Sequence, residues 1–192
     1  MISPVINFWW PSLPANLSQE AFRRHPPGNR RTFWIAHHAP WLFYGYMAQK
    51  LVTPPAEFLA GDPDLFSRQD KEILRMVAAS PTPPENKATQ QGVHESLHRD
   101  IMVGFGRWEF DPLELGDPFP GGEGAVHIWQ GAEDRLISAE LQRHVAGRLP
   151  WVSYHECSDC GHLMVHLESC SNAILRTLVL GEEAVLPGST GK

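Results

Sequence analysis

From Ala125 to Gly181 the apolar positions change period, from strand to helix and back, and this predicts a βαβα series. Ala125-Val-His-Ile-Trp129 is short, apolar and β-prone, and it follows a run of chain breakers from Pro118 to Gly124, so it reads as a buried strand. Ser138 is placed to cap a helix on which Leu141, Val145 and Leu149 share one face, and Pro150 stops it. Val152 and Tyr154 alternate with Ser153 and His155, the period of a second strand. Gln130 to Leu136 and Cys157 to Gly161 are read as loops. A last helix is expected to turn Ile174, Leu175 and Leu178 inward and to finish at Gly181. Two strands joined by one helix lie parallel, which brings both carboxyl ends to one edge of the sheet.

The pattern upstream is looser and rich in proline and aromatic residues. Pro4 to Asn7 reads as the tail of a strand, and Ser18 as the cap of a short helix through Phe22. Thr32 to Leu51 has a helical period that Pro40 breaks. Ser67 and Asp70 have capping-box spacing, with Ile73, Leu74 and Val77 as the apolar stripe behind them. Val93, Leu97 and Ile101 predict another helix, ended by Gly104, and Ser80 to Pro84 reads as a loop. The organisation is therefore a strand end plus a helical region over 1–124, a βαβα core over 125–181 and a flexible tail over 182–192. No internal repeat interrupts it.

Composition sharpens the class. The 192 residues are 42% hydrophobic and 20% charged, which is the balance of a chain that buries its own core. A net charge of −6 leaves no basic face for a phosphate backbone, so nucleic acid is excluded as a partner. The most apolar stretch, Thr32 to Ala48, contains His37, His38 and Pro40 and is shorter than the roughly 20 residues a membrane span needs. The first residues lack the basic-then-apolar pattern of a secretory signal. Three cysteines, an odd number, do not make a disulfide framework and favour a reducing, intracellular compartment, in the cytoplasm or an organelle.

Candidate chemistry sits just past the two strands. The stretch Val126-His-Ile-Trp-Gln-Gly-Ala-Glu-Asp-Arg-Leu-Ile137 is an apolar strand ending in Gly-x-x-Asp, and Tyr154-His-Glu-Cys-Ser-Asp-Cys-Gly-His-Leu163 ends in Gly-His. Ligands of parallel sheets bind at strand carboxyl ends, so Asp134 and His162 are expected to converge although they lie 28 positions apart in sequence. The ordered pair resembles the acid and the histidine of the α/β-hydrolase superfamily, where the order is Ser, Asp, His. Asn7-Phe-Trp-Trp-Pro and Phe66-Ser-Arg-Gln-Asp70 resemble the lid of a plant-type subgroup. The resemblance implies an α/β fold class, a partial α/β-hydrolase fold in which a helical lid precedes βαβα with parallel strands.

It also implies roles. His162 would be the general base of a serine ester or acyl hydrolase, and Asp134 would orient it and stabilise imidazolium. Glu133 is adjacent, but Asp134 holds the motif position. Trp9, Trp10, Trp34 and Trp41 would line a pocket for a small apolar ester-like substrate, although such aromatics more often form a core. No cofactor is implied.

The nucleophile is the departure from this pattern. The family carries it on a Gly-x-Ser-x-Gly elbow. No serine or cysteine here has glycine two positions before and two after; Ser189 has Gly191 after it but Pro187 before it. The oxyanion donors that accompany the elbow are missing with it. The expectation is a truncated hydrolase-family chain, inactive alone, or else a non-catalytic binding or interaction module that keeps the lid pocket. A sheet this small is expected to expose an edge and to self-associate through it. A competing site is zinc on His155, Cys157, Cys160 and His162, whose thiolates and imidazoles are tetrahedral zinc donors. His155 and Cys157 belong to one strand end, and no metal is assigned. His94 and His98, four apart on a helix, are read as part of a solvated face, and His37-His38 takes no assignment.

Overall fold

The computed structural model describes residues 1–48, 65–79 and 92–187. Its elements are mixed α/β: helices α1 (Ala15–Arg24), α2 (Pro27–His38), α3 (Pro40–Ala48), α4 (Arg68–Ala78) and α5 (Val93–Phe105), then strand β1 (Val126–Gly131), α6 (Ala139–Arg148), strand β2 (Val152–Cys157) and α7 (Glu168–Leu180). Contacts divide the chain into two compact units, one of Met1–Pro4, Asp64–Ser80 and Leu113–Lys192, the other of Val5–Pro63 and Pro81–Pro112. The single cut at residue 124 read from the sequence does not follow this division. Helix α4, read as part of the lid, belongs to the unit that holds the sheet.

In that unit β1 and β2 run parallel from Val126↔Val152 to Gly131↔Cys157. A crossover through α6 joins them, as two parallel strands require. Ser138 caps α6 by accepting the Leu141 N–H at 3.3 Å, and Leu141, Val145 and Leu149 are all buried. On its other side β1 meets the first residues of the chain: Ser3 N–H donates to the Trp129 carbonyl at 2.8 Å, and Trp129 N–H to that of Met1 at 2.9 Å. The strand-like segment is therefore Met1–Ser3 rather than Pro4–Asn7. Pro4 has no N–H to continue the ladder.

Helix α7 ends as expected at Gly181, whose φ of 68° suits glycine. Its inward face differs. Cys170, Ala173 and Ile174 are buried, whereas Leu175 and Leu178 are 57% and 56% exposed. Ile174 faces the core as expected, joined there by the smaller Cys170 and Ala173, whereas Leu175 and Leu178 lie outside that face. Cys170, Ala173 and Ile174 make one apolar cluster with Trp129, Cys157, Cys160, Met164 and Leu186. Leu186 lies in the segment read as a tail, yet it is buried in this core.

The other unit is helical. Ala36, Phe43, Met47 and Ile101 form its core, contributed by α2, α3 and α5. The break expected at Pro40 falls at Ala39, whose φ of −137° and ψ of 56° leave the helical region. Ser18 is not a cap: α1 begins three residues earlier, after Pro14, and the Ser18 hydroxyl donates to the Phe8 carbonyl. Helix α5 runs one residue past Gly104, to Phe105, with Gly106 as its cap. The loop read at Ser80 to Pro84 and the end of the stretch Thr32 to Leu51 lie outside the described residues.

Candidate active site

The end of β1 and the loop after β2 are fastened to each other before any side chain is considered. Ala132 N–H donates to the Cys157 carbonyl and Glu133 N–H to that of Cys160, each at 2.9 Å. Gly131 lies where the two segments touch, and a Cβ there would fall far inside the van der Waals radius of the Cys160 and Gly161 carbonyl oxygens. Only glycine allows that approach.

Asp134 is the centre of this junction. Its side chain is 0% exposed, and four groups hold it. Leu136 N–H and Ile137 N–H each donate to Oδ1 at 2.9 Å, Gln130 Nε2 donates to Oδ2 at 3.1 Å, and His162 Nδ1 lies 2.9 Å from Oδ2. A buried carboxylate is tolerated when its lone pairs are satisfied in this way. Gln130 is itself buried, and its amide also donates to the carbonyls of Gly131 and Ile137, each at 3.2 Å. Glu133, the neighbouring acid, is exposed.

His162 is positioned from the opposite side by the first turn of α4. Ser67 and Asp70 form the expected reciprocal capping box, with Ser67 Oγ accepting the Asp70 N–H and Asp70 Oδ2 accepting the Ser67 N–H, both at 3.1 Å. The same fully buried carboxylate accepts the backbone N–H of His162 at 3.1 Å and that of Leu163 at 2.7 Å. Gln69 Oε1 accepts the Gly161 N–H at 3.3 Å. Three consecutive amides of the His162 loop are thus bound by one helix start. A Cβ at Gly161 would overlap Asp70 Oδ2 and Ser67 Oγ, so glycine is required here as well.

The electrostatics follow from this geometry. Burial works to lower the His162 pKa, but the hydrogen bond and charge of Asp134, with the charge of Asp70, outweigh it and raise the group above its ordinary 6.5. Asp134 can only accept, so the proton of the neutral ring sits on Nδ1 and the lone pair on Nε2. Among the described residues Nε2 has no protein partner, and the side chain is 29% exposed. An imidazole so held can take a proton at Nε2 and stabilise the resulting cation.

Other sequence-derived candidates are dispersed. The four zinc donors are not gathered: His162 is bound to Asp134, while the His155 Nε2 lies 2.9 Å from the His127 Nδ1 and its ring stacks on Trp129. Cys157 and Cys160 form a disulfide, in contrast to the reading of three cysteines without a disulfide framework. Thiols joined to each other offer no thiolate to a metal. His94 is exposed and His98 stacks against Phe43, so the pair shares no site. His37 stacks on Trp9 and its Nδ1 lies 3.1 Å from the Phe105 carbonyl oxygen.

In the helical unit, Trp9 and Trp10 line a cavity of about 300 Å³ with Phe8, Pro11 and Phe22. Trp34 and Trp41 stand 50% and 75% exposed and are not part of its wall.

Asp70 and Gln130 are the site residues that sequence reasoning passed over. Asp70 was legible only as a helix cap, since its other partners lie 92 and 93 positions away. Gln130 was read as the start of a loop, but it lies within β1 and is fully buried, where its amide needs partners. No helix among the described residues is long and apolar enough to cross a membrane. Scans against protein-family models, curated proteins and solved structures return no match for this chain, so its functional reading rests on the geometry of Asp134 and His162.

Proposed function

We propose that Asp134 and His162 are the acid–histidine half of a serine-hydrolase site of the α/β-hydrolase type, acting on an ester or similar acyl bond of a small apolar substrate. The observation that carries this reading is the 2.9 Å contact between His162 Nδ1 and a fully buried Asp134 Oδ2, which leaves Nε2 without a partner among the described residues. In such a site Nε2 removes the proton of a serine hydroxyl as it attacks the acyl carbon, then returns it to the leaving group. Asp134 holds the tautomer and balances the cation. Asp70 keeps the loop from drifting, which matters because small displacements of a catalytic base are costly in rate.

On this reading the 192 residues correspond to a hydrolase lid and carboxy-terminal core, and the chain does not turn over substrate by itself. The serine that His162 would activate has no Gly-x-Ser-x-Gly among these residues. Self-association along the outer edge of β2 belongs to the same proposal, since an unpaired strand edge invites pairing.

A serine-directed fluorophosphonate probe tests it. The 192-residue protein is expected to remain unlabelled. A protein extended by the coding sequence upstream of Met1 is expected to carry an in-frame Gly-x-Ser-x-Gly and to label, with labelling lost in His162→Ala. Labelling of the 192-residue chain, or an extended protein that lacks the elbow, would overturn the proposal.

The aromatic cavity supports a second reading, a non-catalytic module that binds an apolar ligand. Its wall includes Trp10, whose indole N–H is buried without an acceptor. Quenching of tryptophan fluorescence by a short-chain ester, lost in Trp10→Ala and unchanged in His162→Ala, would favour it.

A further inference from the structure

All three cysteines of the chain meet in one place. Cys157, at the end of β2, Cys160, in the loop before His162, and Cys170, in the first turns of α7, have their sulfur atoms within 4.8 Å of one another, and all three are buried. Cys157 and Cys160 are joined, and the Cys170 thiol lies 3.6 Å from Cys160 Sγ, in van der Waals contact. Cysteine is common enough in cores, but a buried thiol in contact with one sulfur of a disulfide is a chemical arrangement and not only a packing one.

We propose that this cluster is a thiol–disulfide exchange site in which Cys160 holds its disulfide with either Cys157 or Cys170. Cys170 Sγ, as thiolate, attacks Cys160 Sγ; the Cys160–Cys170 bond forms as the Cys157–Cys160 bond breaks, and Cys157 leaves with the electron pair. The proton that Cys170 gave up ends on Cys157. No oxidant or reductant is consumed, because one disulfide and one thiol are present before and after. The receiving end is prepared: Cys157 Sγ lies 3.3 Å from the Pro187 carbonyl oxygen, to which a sulfur in a disulfide has no proton to donate and a released thiol does.

The surroundings favour this exchange over a metal. Trp129, Met164, Ile174 and Leu186 belong to the same apolar cluster as the three cysteines. An apolar enclosure disfavours the several thiolates a metal would need, while a disulfide and a thiol are both uncharged. Burial pushes the Cys170 thiol up from its ordinary pKa, against a lowering hydrogen bond from Ser169, so the attacking thiolate is the minor form and the exchange is slow at neutral pH.

The two links differ in what they restrain. The Cys157–Cys160 bond closes the short turn that precedes His162. The Cys160–Cys170 bond would enclose His162 itself, tying its loop to α7. This inference does not depend on the hydrolase reading, because its chemistry involves neither Asp134 nor a serine.

The test is disulfide mapping. The whole protein and its Cys157→Ala, Cys160→Ala and Cys170→Ala variants are equilibrated with oxidised and reduced glutathione, quenched in acid, alkylated and mapped by peptide mass spectrometry. The native protein is expected to yield both Cys157–Cys160 and Cys160–Cys170 peptides. Cys157→Ala is expected to lose both alkylation sites by forming Cys160–Cys170, and Cys170→Ala to lose both by forming Cys157–Cys160. A Cys157→Ala protein that keeps both thiols where Cys170→Ala closes its bond would overturn the proposal. Should a variant fail to fold, the native protein decides alone: Cys170 recovered fully alkylated, with Cys157–Cys160 as the sole linkage, would equally overturn it.

Discussion

Asp70 accepts the backbone N–H of His162 at 3.1 Å, so the helix start that caps α4 also fixes the loop bearing the histidine. One carboxylate takes the backbone of His162 and another takes its ring. The candidate site is therefore braced from two elements that lie far apart in sequence.

That bracing predicts a large effect at Asp70. Asp70→Ala removes the acceptor of three backbone N–H groups, those of Ser67, His162 and Leu163, in a buried position. Leaving buried donors unpaired, with loss of the helix cap, should cost about 3 kcal/mol. Urea unfolding measures it. Asp70→Asn keeps one of the two acceptor oxygens and should cost less, while lowering the His162 pKa because the negative charge is gone.

The ring partner predicts a pH dependence. His162 has its folded pKa raised, so the folded state holds its proton more tightly than the unfolded chain. Its contribution to stability is fully present below the unfolded value near 6.5 and is lost as pH rises through the higher folded value. In Asp134→Asn the His162 pKa should fall and this part of the pH slope should vanish. Titration of the imidazole resonances by NMR, alongside urea midpoints at several pH values, would reveal both; an unchanged His162 titration in the variant contradicts the pairing.

Gly161 should tolerate no side chain. A methyl group there collides with Asp70 Oδ2 and Ser67 Oγ, and neither can retreat without breaking the capping box. Gly161→Ala is expected to destabilise by about 3 kcal/mol, the upper range for overpacking. Gly147→Ala provides the contrast: it lies within α6 and its Cβ would meet open space, so a small gain in stability is expected. Thermal melting of the two variants side by side separates the cases.

Helix α7 offers a test of which face is the core face. Ile174→Ala should cost about 2 to 4 kcal/mol, since it empties volume beside Trp129 and Met164. Leu178→Ala, at an exposed position, should stay within about 0.5 kcal/mol. Equal losses in denaturant unfolding would show that Leu178 is covered in solution.

Much of the sheet region was legible because its signals are local. The strand read at Ala125–Trp129, which the structure places at Val126–Gly131, the Ser138 cap, the α6 stripe and the Gly181 stop each depend on residues within a few positions of each other. The parallel pairing followed from the single helix between the strands, and it brought Asp134 and His162 to one edge. On α7 Ile174 was legible as a core residue, but Leu175 and Leu178 were not legible as exposed, because hydrophobicity alone ranks Leu above Ala and Cys while Ala173 and Cys170 take the places beside Trp129. Ser18 was misread for a related reason: capping chemistry is the same in sequence whether a helix starts there or three residues earlier.

By itself, then, the sequence determined the order and period of the elements, the parallel crossover, and the approach of an acid to a histidine past two strand ends. Those follow from backbone sterics and from the alternation of apolar positions, which act over a few residues. Tertiary structure alone decided that Asp70 grips the His162 loop, that His155 turns to His127 and not to the cysteines, and that three sulfurs share one core. Each joins segments separated by ten to more than ninety positions, and burial forces polar groups and sulfurs to take whatever partner the packed chain brings within reach.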